Sequence, residues 1–393
     1  MREVVVLGVG LHPWGIFDQT PLLDMAIQAT NKALEDAGLE FNDIQSISAC
    51  GSDFVQFLGR GMLGNVLLDM LGGSGIDVTS VRAGCSGSMM AVHTGFLEVA
   101  SGRKDIVLTV GADKVPRGLT VYSTSEDMRD RNYVIAKAVG AGNPAFWAMN
   151  MRRRMVEYGT TEEQFAQVAV KAHKNGALNP YAKYRKPVSI EEVLSSPPIA
   201  NPLRLLEICS FSHGAAAIIL CSAEKARQLT NKPVYMVTTA LGTKHFGEPL
   251  IDWDLSMVAN SPAPHNSARA AAVWRCYEQA GLGPENIDMV EQADLSVWHE
   301  FDMLEGWGFC KPGEADRMIG DGETEINGKL PINPSGGFQS FGEATAACGM
   351  WQIAECTWQL RGQSQQRQVK EPRVCLCEVN GVGPTSGAAI LKI

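Results

Sequence analysis

Two stretches of the chain, ALEDAGLEFNDIQSI at residues 33–47 and CYEQAGLGPENIDMV at residues 276–290, read alike. Each gives a helix end, an Ala-Gly-Leu stop, a short polar turn and an apolar strand. Glycine takes the left-handed backbone that closes a helix without a Cβ penalty, so Gly38 and Gly281 have the same structural task. Each copy follows a strand-like start, VVVLGVG at 4–10 and PVYMVTTALG at 233–242, with a long connection to an amphipathic helix. Helices alternating with buried apolar strands indicate α/β layers. The simplest architecture is two related halves, residues 1–230 and 231–393, the first interrupted by an excursion at about 114–210. That excursion is rich in Met, Arg and Tyr (WAMNMRRRMVEYG at 147–159, NPYAKYRKPVS at 179–189) and is expected to lay two helices over the core. Long insertions of this kind more often bind substrate or build a dimer contact than stay disordered.

Bulk properties narrow the function. The 393 residues are 45% hydrophobic and 20% charged, which describes a globular protein with ample material for a core. A net charge of -9 argues against a dedicated nucleic-acid surface, while leaving a local basic patch for a phosphate-bearing ligand open. The longest apolar runs, such as AAAIIL at 215–220, fall far short of the roughly 20 residues of a membrane span. MREVVVLGVG begins directly as a strand with no signal segment, so a cytoplasmic location is expected. The ten cysteines form no CxxC pair, and most lie inside apolar elements as buried reduced thiols, so neither a metal site nor a disulfide framework is expected. CLC at 375–377 is read as a strand whose two thiols point to opposite faces.

One cysteine stands apart. In VRAGCSGSMMAVHTG (81–95) Cys85 sits where a strand candidate, GIDVTSVRAG, gives way to a helix with Met89, Val92, Phe96 and Val99 on one side. Free amides and partial positive charge at a helix start stabilise a thiolate, and Gly84 and Gly87 let the backbone turn sharply. On these residues alone, a nucleophile and a cysteine filling a tight turn are equally good readings.

Three later motifs decide between them: NPLRLLEICSFSHGAAAIIL (201–220), LPINPSGGFQSFGEATAACGMWQIAECTWQLRGQSQQRQV (330–369) and EVNGVGPTSGAAIL (378–391). In this order after Cys85, over nearly the whole chain, they resemble the thiolase superfamily. The resemblance is strongest to sterol-carrier-protein-type thiolases and lipid-transfer-protein aldolases, and extends to the thiolase subunit of a benzoylsuccinyl-CoA thiolase-like enzyme. It implies an α/β thiolase fold, two βαβαβαββ halves in five αβαβα layers. It also implies a homodimer and acyl-CoA substrates, with coenzyme A as co-substrate and no permanently bound cofactor. Cys85 matches the nucleophile that takes the acyl group from a 3-oxoacyl thioester.

The other family positions are altered. The Gly-His-Pro that normally follows NPSGG reads Gly342-Glu343-Ala344. The His-Asp-Cys-Phe motif falls on Ala293, Asp294, Leu295 and Ser296. The His-Asn-Gly-type loop near the C-terminus reads Val379-Asn380-Gly381-Val382-Gly383. Glu343 thereby becomes the leading candidate for proton transfer with Cys85, provided burial raises its pKa; its competing reading is a helix cap. Asp294, His299 and Asn380 are candidates for the surrounding shell or for substrate contact. Backbone amides near Cys85 and in the Gly342, Gly381 and Gly383 turns are candidate oxyanion donors. Arg152, Arg153, Arg154 and Lys183 are candidates for coenzyme A phosphates beside the alternative of a solvated basic face.

The expected activity is a thiolase acting on a branched or aromatic 3-oxoacyl-CoA such as benzoylsuccinyl-CoA, through an acyl-Cys85 intermediate. A retro-aldol lyase on a 3-hydroxyacyl-CoA and a non-catalytic binding protein are the alternatives. Divergent relatives work with a small subunit bearing a zinc ribbon and an oligonucleotide/oligosaccharide-binding (OB) fold, so such a partner is expected too, carrying any zinc itself.

Overall fold

The computed structural model describes residues 1–52, 55, 62–73, 75–116, 142–243, 268–381 and 385–393. Among these, the chain opens with β1 (Val4–Leu11), α1 (Leu22–Ala37), β2 (Ser46–Cys50), α2 (Leu63–Leu71), β3 (Asp77–Val81), α3 (Gly87–Ala100) and β4 (Ile106–Lys114). Next come α4 (Asn143–Tyr158), α5 (Glu162–Ala177), α6 (Ile190–Ser195), a small hairpin of β5 (Pro198–Ala200) and β6 (Leu203–Arg204), β7 (His213–Ser222) and α7 (Ala223–Leu229). The remainder runs β8 (Val234–Thr243), α8 (Ala268–Ala280), β9 (Met289–Glu291), α9 (Trp298–Gly306), α10 (Ala315–Gly320), α11 (Gly337–Phe341), α12 (Cys348–Arg361), β10 (Val374–Gly381) and β11 (Thr385–Lys392).

Nine strands form one sheet in the order β3-β2-β4-β7-β1-β8-β11-β10-β9. The duplication is visible in its pairing. In the first part β2 runs parallel to β3 and β4, and β7 pairs antiparallel with β4 and β1. In the second, β9 runs parallel to β10, and β11 pairs antiparallel with β10 and β8. The parts join antiparallel through three residue pairs, Val4–Val6 against Val234–Met236. The counterpart of β3 shrinks to one parallel bridge, Val290 to Ile332. Asn333, with φ of +50°, ends the extended run there.

Alternate strand residues sort into different layers, as the period of two requires. On one face Val4, Val6, Cys375, Cys377, Ala389 and Leu391 pack with Met89, Val92, Phe96 and Val99 of α3 and with Cys348, Ile353 and Leu360 of α12. On the other face Val5 and Leu7 pack under α1, while Leu376, Ala388 and Ile390 pack under α8. Two central helices between the strand layers, with α1 and α8 outside, make the five layers of the thiolase fold. Gly38 and Gly281 both close their helices in the left-handed region, at φ of +65° and +63°. One expectation fails: Cys375 and Cys377 lie on the same face, because residues two apart in a strand share a side, and both touch Cys356 of α12.

Buried ion pairs tie α4 and α5 to the second half. Arg154 bonds Glu305 at 2.7 Å and also Asp316, and Lys171 bonds Glu300 and the Thr324 hydroxyl. Both cations are at least 94% buried (6% and 4% exposed), and Lys171 has one carboxylate partner where Arg154 has two, so loss of Glu300 leaves an uncompensated charge costing about 3–5 kcal/mol.

Candidate active site

Cys85 lies in a tight turn, Gly84–Ser86, immediately before α3, and is 5% exposed. Gly84 supplies the turn with φ of +50°. At Gly87 a Cβ would stand 2.5 Å from Cys50 Sγ, so glycine lets the end of β2 abut the helix start. The Ser86 hydroxyl donates to the Ala83 carbonyl at 2.9 Å and shares a 2.6 Å hydrogen bond with the Thr385 hydroxyl. Gly381 presses on the same turn: its Cβ would lie 2.7 Å from the Ser86 amide nitrogen. The β10–β11 hairpin therefore rests directly on the nucleophile's turn. Gly349 N donates to Ser88 Oγ at 2.8 Å and pins the start of α12 to the start of α3. Helix starts carry partial positive charge and free amides, so this corner favours an anion on sulfur or on a substrate oxygen.

Glu343 sits between α11 and α12. Its amide donates to the Ser210 carbonyl at 2.6 Å, and its carbonyl accepts from the Ser212 amide at 2.9 Å. Gly342 allows this approach with φ of +74°, since a Cβ there would meet Ser212 Oγ at 2.4 Å. The Glu343 side chain is 8% exposed and hydrogen-bonds Cys85. The helix-cap reading is thereby displaced: α12 starts five residues later, and the carboxyl turns to the thiol. Burial pushes the Glu343 carboxyl up, the Cys85 hydrogen bond opposes this, and the nearby Asp113 charge adds to it. A raised carboxyl beside a thiol at a helix start is the arrangement that brings acid and base into range of each other.

Three neighbours were not singled out from the sequence. Asp113, at the end of β4, accepts from the Thr345 hydroxyl and from the Ala346 amide at 3.2 Å. Cys348 opens α12 and donates to the Ala344 carbonyl at 3.2 Å; burial, then the Glu343 charge, holds its thiol well above the usual range. Cys209 is half-buried, its amide bonded to the Leu295 carbonyl at 2.9 Å, and burial with Glu343 and Asp294 pushes its thiol well up. Each lies in a segment whose sequence reads as core strand or helix. The only local signal is a polar or thiol group at an element's end.

The other candidates divide. Asp294 accepts the Phe338 amide at 2.6 Å, and a Cβ on Gly337 would lie 2.4 Å from its carboxylate, so it holds the start of α11 in the NPSGG turn. Burial pushes the Asp294 carboxyl up to about 7, against the backbone hydrogen bonds. His299 bonds the Ser296 amide at 3.0 Å and hydroxyl at 2.9 Å, and its ring meets Trp147 and Trp298. Burial, with Arg269 nearby, holds His299 well below its ordinary pKa, so it is neutral. Asn380 is buried, opposite Ser386 in the hairpin and next to Gly381. Gly383 lies outside the described residues. Of the basic candidates, Arg152 bonds the Asn201 side chain, Arg153 pairs with Glu157 and Arg154 is in the buried network. Lys183 reaches Ser210 Oγ at 2.8 Å and the Phe211 carbonyl at 2.7 Å, bordering the segment that carries Glu343. Among the described residues no cluster of His, Cys, Asp or Glu is arranged for a metal ion, and no helix is long and apolar enough to cross a membrane.

Residues 9–224 match the thiolase N-terminal domain model and residues 253–392 the thiolase C-terminal domain-like model. An acetyl-CoA acetyltransferase of Methanothermobacter thermautotrophicus is 34% identical, over 100% of this chain and 99% of its own. The benzoylsuccinyl-CoA thiolase subunit BbsB of Thauera aromatica is 30% identical, over 97% of this chain and 95% of its own. A solved structure described as an Ltp2-ChsH2(DUF35) aldolase is 28% identical and superposes with a TM-score of 0.83, over 99% of this chain and 98% of its own. By its two matched domains and its nine-stranded duplicated sheet, the chain belongs to the thiolase family.

Proposed function

We propose that the protein is a thiolase-type acyl-CoA C-acyltransferase that cleaves a branched or aromatic 3-oxoacyl-CoA of the benzoylsuccinyl-CoA kind. The observation carrying this reading is the hydrogen bond between Cys85 and the buried Glu343 at the start of α3. The thiol proton passes to Glu343, and the sulfur electron pair attacks the 3-oxo carbonyl carbon. The C2–C3 bond breaks, its electrons forming the enolate of the departing acyl-CoA, which takes at C2 the proton held on Glu343 and so returns Glu343 to its carboxylate. The thiol of coenzyme A, as co-substrate, then attacks the acyl-Cys85 thioester and releases the second acyl-CoA, returning the proton to the cysteine. Amides at the Cys85 turn and at Gly381 are the proposed donors to the two oxyanions; the Gly342 amide does not serve, because it donates to the Phe338 carbonyl at 2.7 Å. Asp294 and His299 serve as support, Asn380 lines the hairpin side, and Lys183 is the basic group bordering the site.

The same reading divides the chain into thiolase halves at 1–230 and 231–393, with the insertion at about 114–210. It makes the protein a cytoplasmic homodimer. The end strand β3 supports the dimer: among the described residues it is bonded to a strand on one side only, and none of its five residues is buried. An additional small subunit with a zinc ribbon and OB fold is also proposed. BbsB is itself a subunit, and the aldolase structure carries a DUF35 partner in its description.

Glu343→Gln tests the chemistry. A lost general base should slow acylation of Cys85 by about 10²-fold or more, whereas a wild-type rate contradicts the assignment. The aldolase superposition favours one second reading, a retro-aldol lyase on a 3-hydroxyacyl-CoA. Cys85→Ala with full turnover would select the lyase.

A further inference from the structure

We propose that Asp113 is a positioning residue of this site, a fixed carboxylate at the end of β4 whose negative charge drives the Cys85 proton onto Glu343. The inference rests on the reading of Glu343 as the base. Asp113 has no exposed surface and accepts from four donors: the Thr345 hydroxyl, the Ala346 amide at 3.2 Å, the Lys114 amide at 2.8 Å and the Ser52 hydroxyl. Both carboxylate oxygens are engaged. Among the described residues no lysine, arginine or histidine forms an ion pair with it. The Lys114 ammonium turns away to the Asp18 and Thr20 carbonyls, at 3.0 Å each. His213, its neighbour on β7, accepts from the Phe17 amide at 2.9 Å, and burial holds its pKa down.

Two features follow from this placement. Thr345 and Ala346 come just after Glu343, so the bonds that hold Asp113 also fix the turn that aims Glu343 at Cys85. Burial pushes the Asp113 carboxyl up, and hydrogen bonds from four donors oppose this and favour its charged form, while among the described residues Glu343 has the Cys85 thiol as its one side-chain hydrogen-bond partner. Of the two carboxyls, Glu343 is thus the one free to take a proton, and the like charge of Asp113 favours that protonated state. The groups facing Glu343 are Cys85, Asp113, Cys209 and Cys348; those facing Asp113 are Glu343, Cys348 and His213. In the step concerned the S–H bond breaks, the proton moves to a Glu343 oxygen, and the electron pair stays on sulfur at the start of α3. No charge is gained or lost by the pair.

The experiment is the pH dependence of Cys85 alkylation by iodoacetamide in wild type, Asp113→Asn and Glu343→Gln, read by peptide mass spectrometry. The acid limb of the wild-type profile reports Glu343. Each unit of basicity removed from Glu343 lowers the thiolate–carboxylic acid population tenfold, so limb and plateau must move together. Asp113→Asn is expected to shift the limb down by about one pH unit and the plateau by about tenfold. Thr345→Val removes one of the donors that hold Asp113 charged and so eases its protonation; it should move both in the same direction by less, and serves if Asp113→Asn does not fold. A lowered plateau with an unmoved limb in these variants would reduce Asp113 to a structural group and overturn the proposal. Glu343→Gln must abolish the acid limb; if it does not, the reading of Glu343 as base fails first and the two failures are told apart.

Discussion

Gly381→Ala bears on how the second half holds the nucleophile of the first. A Cβ at 381 would stand 2.7 Å from Ser86 N, 2.8 Å from Ser86 Oγ and 3.0 Å from the Ala83 carbonyl oxygen. Ordinary contact starts at 3.4 Å, so the hairpin and the turn must part by about 0.7 Å, the gap between 3.4 and 2.7 Å. Two of the three atoms are backbone, and no side-chain rotation relieves them. Overpacking of this kind costs about 1–3 kcal/mol, to which loss of the Ser86–Thr385 hydrogen bond adds about 1 kcal/mol. Because Cys85 and Glu343 must meet within hydrogen-bond reach, a displacement approaching 1 Å is expected to cost about 10²-fold in acylation. The assay compares the rates of Cys85 alkylation and acylation and the thermal midpoint in Gly381→Ala, Gly349→Ala and wild type. Gly349→Ala is the milder case, since its nearest contacts are side-chain atoms at 3.1 Å. A Gly381→Ala protein with wild-type rates and midpoint would refute the view that the hairpin positions the nucleophile.

Asp294 and His299 give opposite pH signatures. The folded-state carboxyl of Asp294 stands at about 7, above its unfolded value, so its stabilising contribution is full at acid pH and is lost as pH rises through about 7. Asp294→Asn should therefore remove a loss of up to a few kcal/mol between about pH 4 and 7, read as the pH dependence of denaturant unfolding; parallel curves for variant and wild type would exclude this. His299 is lowered in the fold, so its contribution is present above its unfolded value and lost as pH falls. His299→Gln should flatten the acid side of the stability curve below about pH 6.5 and leave Cys85 alkylation within about threefold, against the roughly 10²-fold of a lost proton carrier.

How much of this was legible in the sequence depends on the range of the interaction. The two Ala-Gly-Leu stops could be read because a left-handed helix end is a local requirement, met at Gly38 and Gly281. The phase of α3 was equally plain, as Met89, Val92, Phe96 and Val99 fall on one buried stripe. Asp113 was invisible for the opposite reason: it bonds Thr345 across 232 residues, and a lone acid at a strand end carries no spacing signal. Glu343 was found through the family's motif position, but its geometry depends on Ser210 and Ser212, which sequence offers no means of bringing alongside. The error at Cys375 and Cys377 was one of strand period and concerned packing rather than the site. Cys209 and Cys348 were passed over because a thiol within an apolar run reads as core, and only the fold brings both to Glu343.

The central claim is a covalent acyl-Cys85 enzyme. The direct measurement is intact-protein and peptide mass spectrometry of the purified protein, with and without a co-purifying small subunit, after incubation with aliphatic and aromatic acyl-CoAs. An adduct of the acyl mass on Cys85, released by added coenzyme A and formed far more slowly in Glu343→Gln, is the predicted result. No adduct with any acyl-CoA, while coenzyme A still binds, would contradict it.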